Sequence, residues 1–335
     1  MAQSGAKLRF LRKGRRPRHG GTAPSFSMTE AAKHAESTGS RRRLLVLATA
    51  VLVIVVPAVL FVGLLPRDEG AGPRQLRLIN ELALRRQEAL AESLRGQVAE
   101  LQAAVAAAER KAEAATQRAA NYDTLALLVV NAPPGYPLWG PQSVENKYQY
   151  ARRHGYGFLL ENGLLNTSRP AAWTKVKALQ THMRMGHHKW LWSIDMDAVI
   201  TNFSIEAHKL LDDRFDVIVS PDCNVLNTGS IFFKASEWSL QFLQRIWERE
   251  FDEPRAWWEN AAFVNLHNED EEVRRHVKVV EQRAINAYPP IICNRESSNW
   301  QPGDFVIHYP SLSHSEGFPE MIKQKIKEAA ELNGL

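Results

Sequence analysis

Trp190-Leu-Trp-Ser-Ile-Asp-Met-Asp-Ala-Val199 leads a short uncharged run, rich in tryptophan, into two carboxylates two positions apart. Such a run, bounded by polar residues, reads as a buried strand. In an extended chain residues i and i+2 face the same way, so the oxygens of Asp195 and Asp197 are expected to converge on one point. Strand ends of this kind are also where open α/β sheets take their ligands. Hard oxygen donors suit Mg²⁺ or Mn²⁺, cations that bridge to a diphosphate and neutralise it as it departs. Acids two apart are also frequent on solvated turns, and that bland reading stands beside the metal one.

The flanking sequence repeats the pattern. Leu125–Val130 is apolar and ends in Asn131-Ala-Pro-Pro-Gly135, a strand entering a loop. A helix-like stretch follows over 144–154, then an apolar run around Phe158–Leu160, a helix over 173–185, and further runs at Val217–Val219 and Ile231–Phe233. Strands alternating with helices predict an α/β fold with a mostly parallel sheet covered on both faces. Roughly 210 residues are enough for one such core. Asp-x-Asp-x-Val after an apolar strand is also the nucleophile motif of haloacid-dehalogenase-like phosphatases. There it belongs on the first strand of the domain, with a late acidic pair, whereas here a length of α/β chain precedes it and no such pair is found.

Toward the N-terminus the composition changes. The first 43 residues hold eleven Lys or Arg and two acids, a charge of +9. The whole 335-residue chain is +5 and residues 44–65 are uncharged, so the remainder is −4 by difference. The basic excess thus belongs to a tail, which argues against a nucleic-acid-binding domain. Leu44 to Leu65, 22 residues without a charge, would form a helix about 33 Å long, enough to cross a hydrocarbon core of about 30 Å. Arg41-Arg42-Arg43 before it and Arg67-Asp68-Glu69 after it keep the tail cytosolic and the C-terminal bulk lumenal. Residues 66–121 follow as a helical stem, in which Leu94, Val98, Leu101, Val105, Ala108, Ala112, Ala115 and Ala119 alternate steps of four and three. A solvated stalk and a weak coiled coil joining homo- or hetero-oligomers remain equal readings, because the alanine half buries little area. The domain proper is expected over 122–335. Its two cysteines, Cys223 and Cys293, either pair or are buried thiols, and Asn166-Thr-Ser and Asn202-Phe-Ser are sequons usable only in a lumenal chain.

Several ordered segments of this domain resemble glycosyltransferase family 34. They are Glu145-Asn-Lys-Tyr-Gln-Tyr-Ala-Arg-Arg-His-Gly155, Trp173-Thr-Lys-Val-Lys-Ala-Leu179, Trp192-Ser-Ile-Asp-Met-Asp-Ala198, Leu226-Asn-Thr-Gly-Ser-Ile231, Trp258-Glu-Asn-Ala-Ala262, Gln282-Arg-Ala-Ile-Asn-Ala-Tyr288 and Gly303-Asp-Phe-Val-Ile-His308. The resemblance implies a GT-A fold, a Golgi membrane location, Mn²⁺ or Mg²⁺, and retaining transfer of galactose, mannose or xylose from a nucleotide diphosphate sugar to a glycan. It implies Asp195, Asp197 and His308 as metal ligands. Asn146 and Lys147 would lie near the nucleotide and Lys175 near the donor phosphates. Asn227, Thr228 and Gly229 would line the sugar cleft as a turn, where Gly229 permits positive φ or close approach; an ordinary tight turn before the next strand is the alternative. Glu259, Asn260 and Gln282 would be catalytic. Glu259 would act as nucleophile or as a stabiliser of an oxocarbenium ion, unless attack is front-face. The chain departs from the family at Asn260, where Gln is usual, and after His308, where Tyr309-Pro-Ser-Leu-Ser-His314 replaces Gly and a basic residue. These departures keep open a catalytically silent partner subunit that retains the fold.

Overall fold

The computed structural model describes residues 72–132, 135–249 and 257–335. The expected tail and the apolar segment 44–65 lie outside these residues. Among the described residues no helix is long and apolar enough to cross a membrane.

The Ala- and Glu-rich stretch forms one helix, α1 (Pro73–Thr124), which continues past the expected stem boundary. Its first part, within the unit ending at Ala107, leaves Leu76, Ile79, Leu82 and Leu90 exposed. Its end belongs to the second unit, from Ala108 onward, where Asn121 is buried and its side-chain amide donates to the His154 carbonyl at 2.8 Å.

That second unit holds a six-stranded sheet in the order β2-β1-β3-β6-β5-β7. The strands are β1 (Leu125–Val130), β2 (Gly157–Glu161), β3 (Trp190–Ile194), β5 (Val217–Pro221), β6 (Leu226–Lys234) and β7 (Val277–Val279). β1 pairs parallel with β2 and β3, and β5 parallel with β7, while β6 runs antiparallel to both β3 and β5. The sheet is therefore mostly parallel, with one reversed strand. A separate two-stranded ladder joins β4 (Ala198–Ile200) to β8 (Val306–His308), with Ala198 opposite His308.

Alternation along the strands explains why the sheet is covered twice. Leu125, Leu127, Val129, Trp190, Trp192 and Phe232 enter one core, and Ala126, Leu128, Leu191, Ile231 and Phe233 enter the other. The first core is closed by α2 (Gly140–His154), α8 (Phe318–Leu332) and the β4–β8 ladder. The second is closed by α3 (Thr174–Met185), α4 (Glu237–Glu248) and α5 (Trp258–Glu269). Within the first core Trp192 stacks on Phe232 with ring centroids 5.0 Å apart, and its indole N–H donates to Ser230. The short helices α6 (Glu271–His276) and α7 (Gln282–Ile285) flank β7.

Two local expectations change. Asn227, Thr228 and Gly229 are not a turn but the opening residues of β6, because hydrogen bonding to β5 and β3 extends the strand back to Leu226. Gly229 does not take positive φ. Close approach is what requires a glycine there.

Candidate active site

Because β6 runs backwards, its first residues lie beside the C-terminal end of β3. The Asp195 N–H donates to the Gly229 carbonyl at 2.8 Å, and the Ala198 N–H to the Asp195 carbonyl at 3.2 Å. Asp195-Met196-Asp197 is thus a turn between β3 and β4, not the extended segment the i, i+2 rule assumes. Convergence comes from that turn and from the β4–β8 ladder, which sets His308 opposite Ala198. One ligand atom from each of Asp195, Asp197 and His308 lies within 4.8 Å of the others. His308 Nε2 is 3.2 Å from Asp197 Oδ1. Adjacent ligands of an octahedral cation at about 2.1 Å stand about 3.0 Å apart, so two carboxylates and an imidazole here fit a hard divalent ion.

Gly229 makes this spacing attainable. A Cβ built on it would lie 2.1 Å from His308 Cε1 and 2.8 Å from each ring nitrogen. The imidazole therefore packs with its Cε1 against bare backbone, a placement that any side chain at 229 would block.

On the opposite side of Asp195, the first turn of α3 supplies Lys175. Its Nζ lies 2.7 Å from Asp195 Oδ1 and 3.2 Å from Glu259 Oε1, and it donates to the Thr228 carbonyl. Burial disfavours the Lys175 charge, but the Asp195 and Glu259 carboxylates outweigh it and hold the ammonium above the ordinary lysine range. Burial pushes the Glu259 carboxyl up, and Lys175 draws it partly back. Glu259 is presented from the first turn of α5, just after Trp258, which is held at φ 38°. A non-glycine residue in that region carries strain that its surroundings must hold.

The remaining expected residues fall into three groups. Asn260 accepts from the Thr228 N–H at 2.8 Å and donates to the Leu226 carbonyl at 3.2 Å, so it fastens α5 to the start of β6. Gln282, also buried, has an Nε2 with no hydrogen-bond partner among the described residues. Asn146 and Lys147 are committed to backbone. The Asn146 amide both donates to and accepts from Ile200 at 2.9 Å, and Lys147 Nζ donates to the Ala198 carbonyl at 2.6 Å and to Ser143 Oγ at 2.7 Å. Ser143 Oγ in turn donates to the Met196 carbonyl. These three residues of α2 hold the Asp-Met-Asp turn and β4 from behind. Burial draws the Lys147 ammonium down to about 7, with Asp197 and Asp195 pulling it partly back up.

Other residues at the site carry no signal a single sequence can give. Asn286, fully buried, has its Oδ1 2.8 Å from His308 Nδ1, and its Nδ2 donates to Asn227 Oδ1 at 3.0 Å. Tyr288 meets the His308 ring edge-on at 5.7 Å and donates its hydroxyl to Asp222. Burial first, then the charges of Asp197 and Asp195, push the Tyr136 phenol up. Next to Asp222, Cys223 forms a disulfide with Cys293, their Cα atoms 6.1 Å apart, and this settles the open question of pairing.

Proteins to which this chain is similar are named as transferases. The chain is 28% identical over 212 residues to the probable alpha-1,6-mannosyltransferase MNN10 of Saccharomyces cerevisiae, covering 51% of this chain and 52% of that protein. It is 26% identical over 219 residues to an alpha-1,2-galactosyltransferase of Schizosaccharomyces pombe, covering 53% and 57%. The match thus spans little more than half the length of these relatives. A crystallised glycosyltransferase involved in the glycosylation of the major capsid of PBCV-1 has the same fold, with a TM-score of 0.50 at 14% identity, over 60% of this chain and 99% of that one. Residues 122–216 and 206–311, which include every ligand and ion pair described above, match one family throughout, and the chain belongs to the galactosyl transferase GMA12/MNN10 family, glycosyltransferase family 34.

Proposed function

We propose that this chain is a retaining, divalent-metal-dependent glycosyltransferase that moves galactose, mannose or xylose from a nucleotide diphosphate sugar to a glycan. The observation that carries this reading is the convergence of Asp195, Asp197 and His308 beside the buried Lys175–Glu259 pair, in a chain of this family. Mn²⁺ or Mg²⁺ held by the first three would neutralise the diphosphate leaving group. Lys175 adds positive charge on the same side of the cleft. Glu259, buried and fixed by Lys175, is the carboxylate available to the anomeric centre, either as nucleophile or as stabiliser of an oxocarbenium ion. Gln282 has a free donor with which to hold a sugar hydroxyl. Asn146, Lys147 and Asn260 keep the surrounding backbone in place.

The reading extends to topology. Residues 44–65 would anchor the chain in the lipid of the Golgi membrane as a single type II span, with the domain lumenal and α1 as its stem, a solvated stalk or a weak coiled coil. The apolar length and the flanking charges support it.

The test is nucleotide release by the full-length chain in detergent, with Mn²⁺, across UDP- and GDP-sugars and varied glycan acceptors. Turnover of one donor, abolished by EDTA and by Asp195→Ala with Asp197→Ala, is expected. Tight metal-dependent nucleotide binding with no turnover would instead make the chain a silent partner subunit. No binding by a folded sample would overturn the whole reading.

A further inference from the structure

The hydrogen bonds around His308 determine where its ring proton sits, once they are followed from the backbone outward. The Gly229 backbone N–H can only donate, and its partner 2.9 Å away is one side-chain atom of Asn227, which must therefore be the carbonyl oxygen. That same oxygen has the Asn286 amide 3.0 Å away. Two carbonyl oxygens would repel there, so Asn286 must present its NH₂ group to Asn227. Its own carbonyl oxygen then faces His308 Nδ1, at 2.8 Å. An oxygen with no proton can only accept, so Nδ1 carries the hydrogen. Asn286 is fully buried and His308 nearly so, which leaves water no part in the exchange. Asn286 is itself fixed by backbone: its N–H donates to the Gln282 carbonyl at 2.8 Å, and the next residue, Ala287, bridges to Ile307 of β8.

We propose that Asn286 is a positioning residue that places the His308 proton on Nδ1 and so offers Nε2 as a bare lone pair to a divalent cation shared with Asp197. An unconstrained histidine side chain prefers its proton on the other nitrogen, so the Nδ1 proton is imposed by the relay from Gly229 through Asn227 and Asn286. Nε2 lies 3.2 Å from Asp197 Oδ1, so in the metal-free protein a proton on Nε2 would bond that carboxylate, and a divalent cation would take that proton's place. The inference rests on the metal reading given above, but it makes a statement about the metal-free protein that can be tested alone.

The full-length protein, labelled with ¹⁵N-histidine and kept free of metal and donor, is examined by long-range ¹H–¹⁵N correlation, with His308 assigned from the signal lost in His308→Gln. Nδ1 of His308 should resonate as a protonated nitrogen, whether or not Nε2 also holds a proton against Asp197. In Asn286→Leu the Nδ1 proton should be lost, and Mn²⁺ affinity, read from free Mn²⁺ by electron paramagnetic resonance, should fall about 10–100-fold. Asn286→Asp keeps an acceptor against Nδ1 and should keep the proton there, which separates positioning from a general loss of packing. An unprotonated Nδ1 in the wild type overturns the proposal even if the protein transfers sugar. The expected spectrum with no transferase activity would leave the proposal standing and count against the function alone.

Discussion

Gly229→Ala is the sharpest perturbation the site offers. Away from steric conflict, replacing glycine by alanine stabilises a protein by about 0.4–1 kcal/mol, because the unfolded chain loses freedom. Here the new methyl would lie 2.1 Å from His308 Cε1, against an ordinary carbon–carbon contact of about 3.5–4.0 Å, so ring or strand must give by ~1.4 Å or more. The ring has no easy retreat, since Asn286 bonds its Nδ1, Tyr288 packs against it and β8 is paired with β4. Overpacking of this kind costs about 1–3 kcal/mol, which reverses the sign of the usual effect. Displacing the imidazole by about 1 Å should also lower metal-dependent transfer about 10²-fold. Urea unfolding of Gly229→Ala is compared with Gly163→Ala, whose added methyl meets nothing within 4 Å, and Mn²⁺ binding is measured on both. If Gly229→Ala unfolds at the wild-type midpoint and binds Mn²⁺ as tightly as wild type, the contact does not govern the site and the reasoning fails.

Lys147 gives a pH dependence. The unfolded chain keeps this proton to about 10.5 and the folded one gives it up at about 7, so unfolding takes up a proton in that window and stability rises with pH across it. Lys147→Met should flatten that rise in urea midpoints between pH 7 and pH 9 (about the range in which such titrations are practical); parallel curves would refute the assignment. Ser311 sits at φ 65°, and Ser311→Gly should stabilise the protein by about 0.5–1 kcal/mol in the same assay, whereas destabilisation would show that its side chain matters more than its backbone. In a eukaryotic secretory host Asn166, exposed on its loop, should carry an N-glycan. Asn202, whose amide donates to the Gly303 carbonyl, should not. Asn166→Gln should therefore remove the endoglycosidase-sensitive mobility shift and Asn202→Gln should leave it, and the reverse pattern would refute this.

The sequence made the sheet visible because five of its strands hold apolar runs, from Leu125 to Phe233. It hid the direction of β6, since Ile231–Phe233 reads identically either way and only pairing with β3 and β5 reveals the reversal. The three-residue strands β4 and β8 are too short to show a period, yet their pairing is what brings His308 to the carboxylates. Asp195 and Asp197 were legible from chemistry alone. Asn286 was not, because a lone asparagine has no pattern until the fold gives it neighbours. Asn146 and Lys147 show the converse: polar residues in a recognisable motif whose polar ends are spent on the backbone of residues 198–200.

The bond between Cys223 and Cys293 closes a ring of chain with a sequence separation of 70. Asn227, Gly229, Glu259, Gln282 and Asn286 all lie inside that ring, while Lys175, Asp195 and Asp197 precede it and His308 follows. During synthesis the carboxylates emerge first, but the strand that fixes Asp195 and the residues that cradle the histidine lie in the ring, which closes only after the second thiol has emerged and an oxidant has reached it. Cross-linking a loop of this length restricts the unfolded chain by about 4 kcal/mol. Maturation of the cleft is thereby tied to the redox state of the compartment in which the chain folds. The same polypeptide made under reducing conditions would leave the ribosome with those residues untethered.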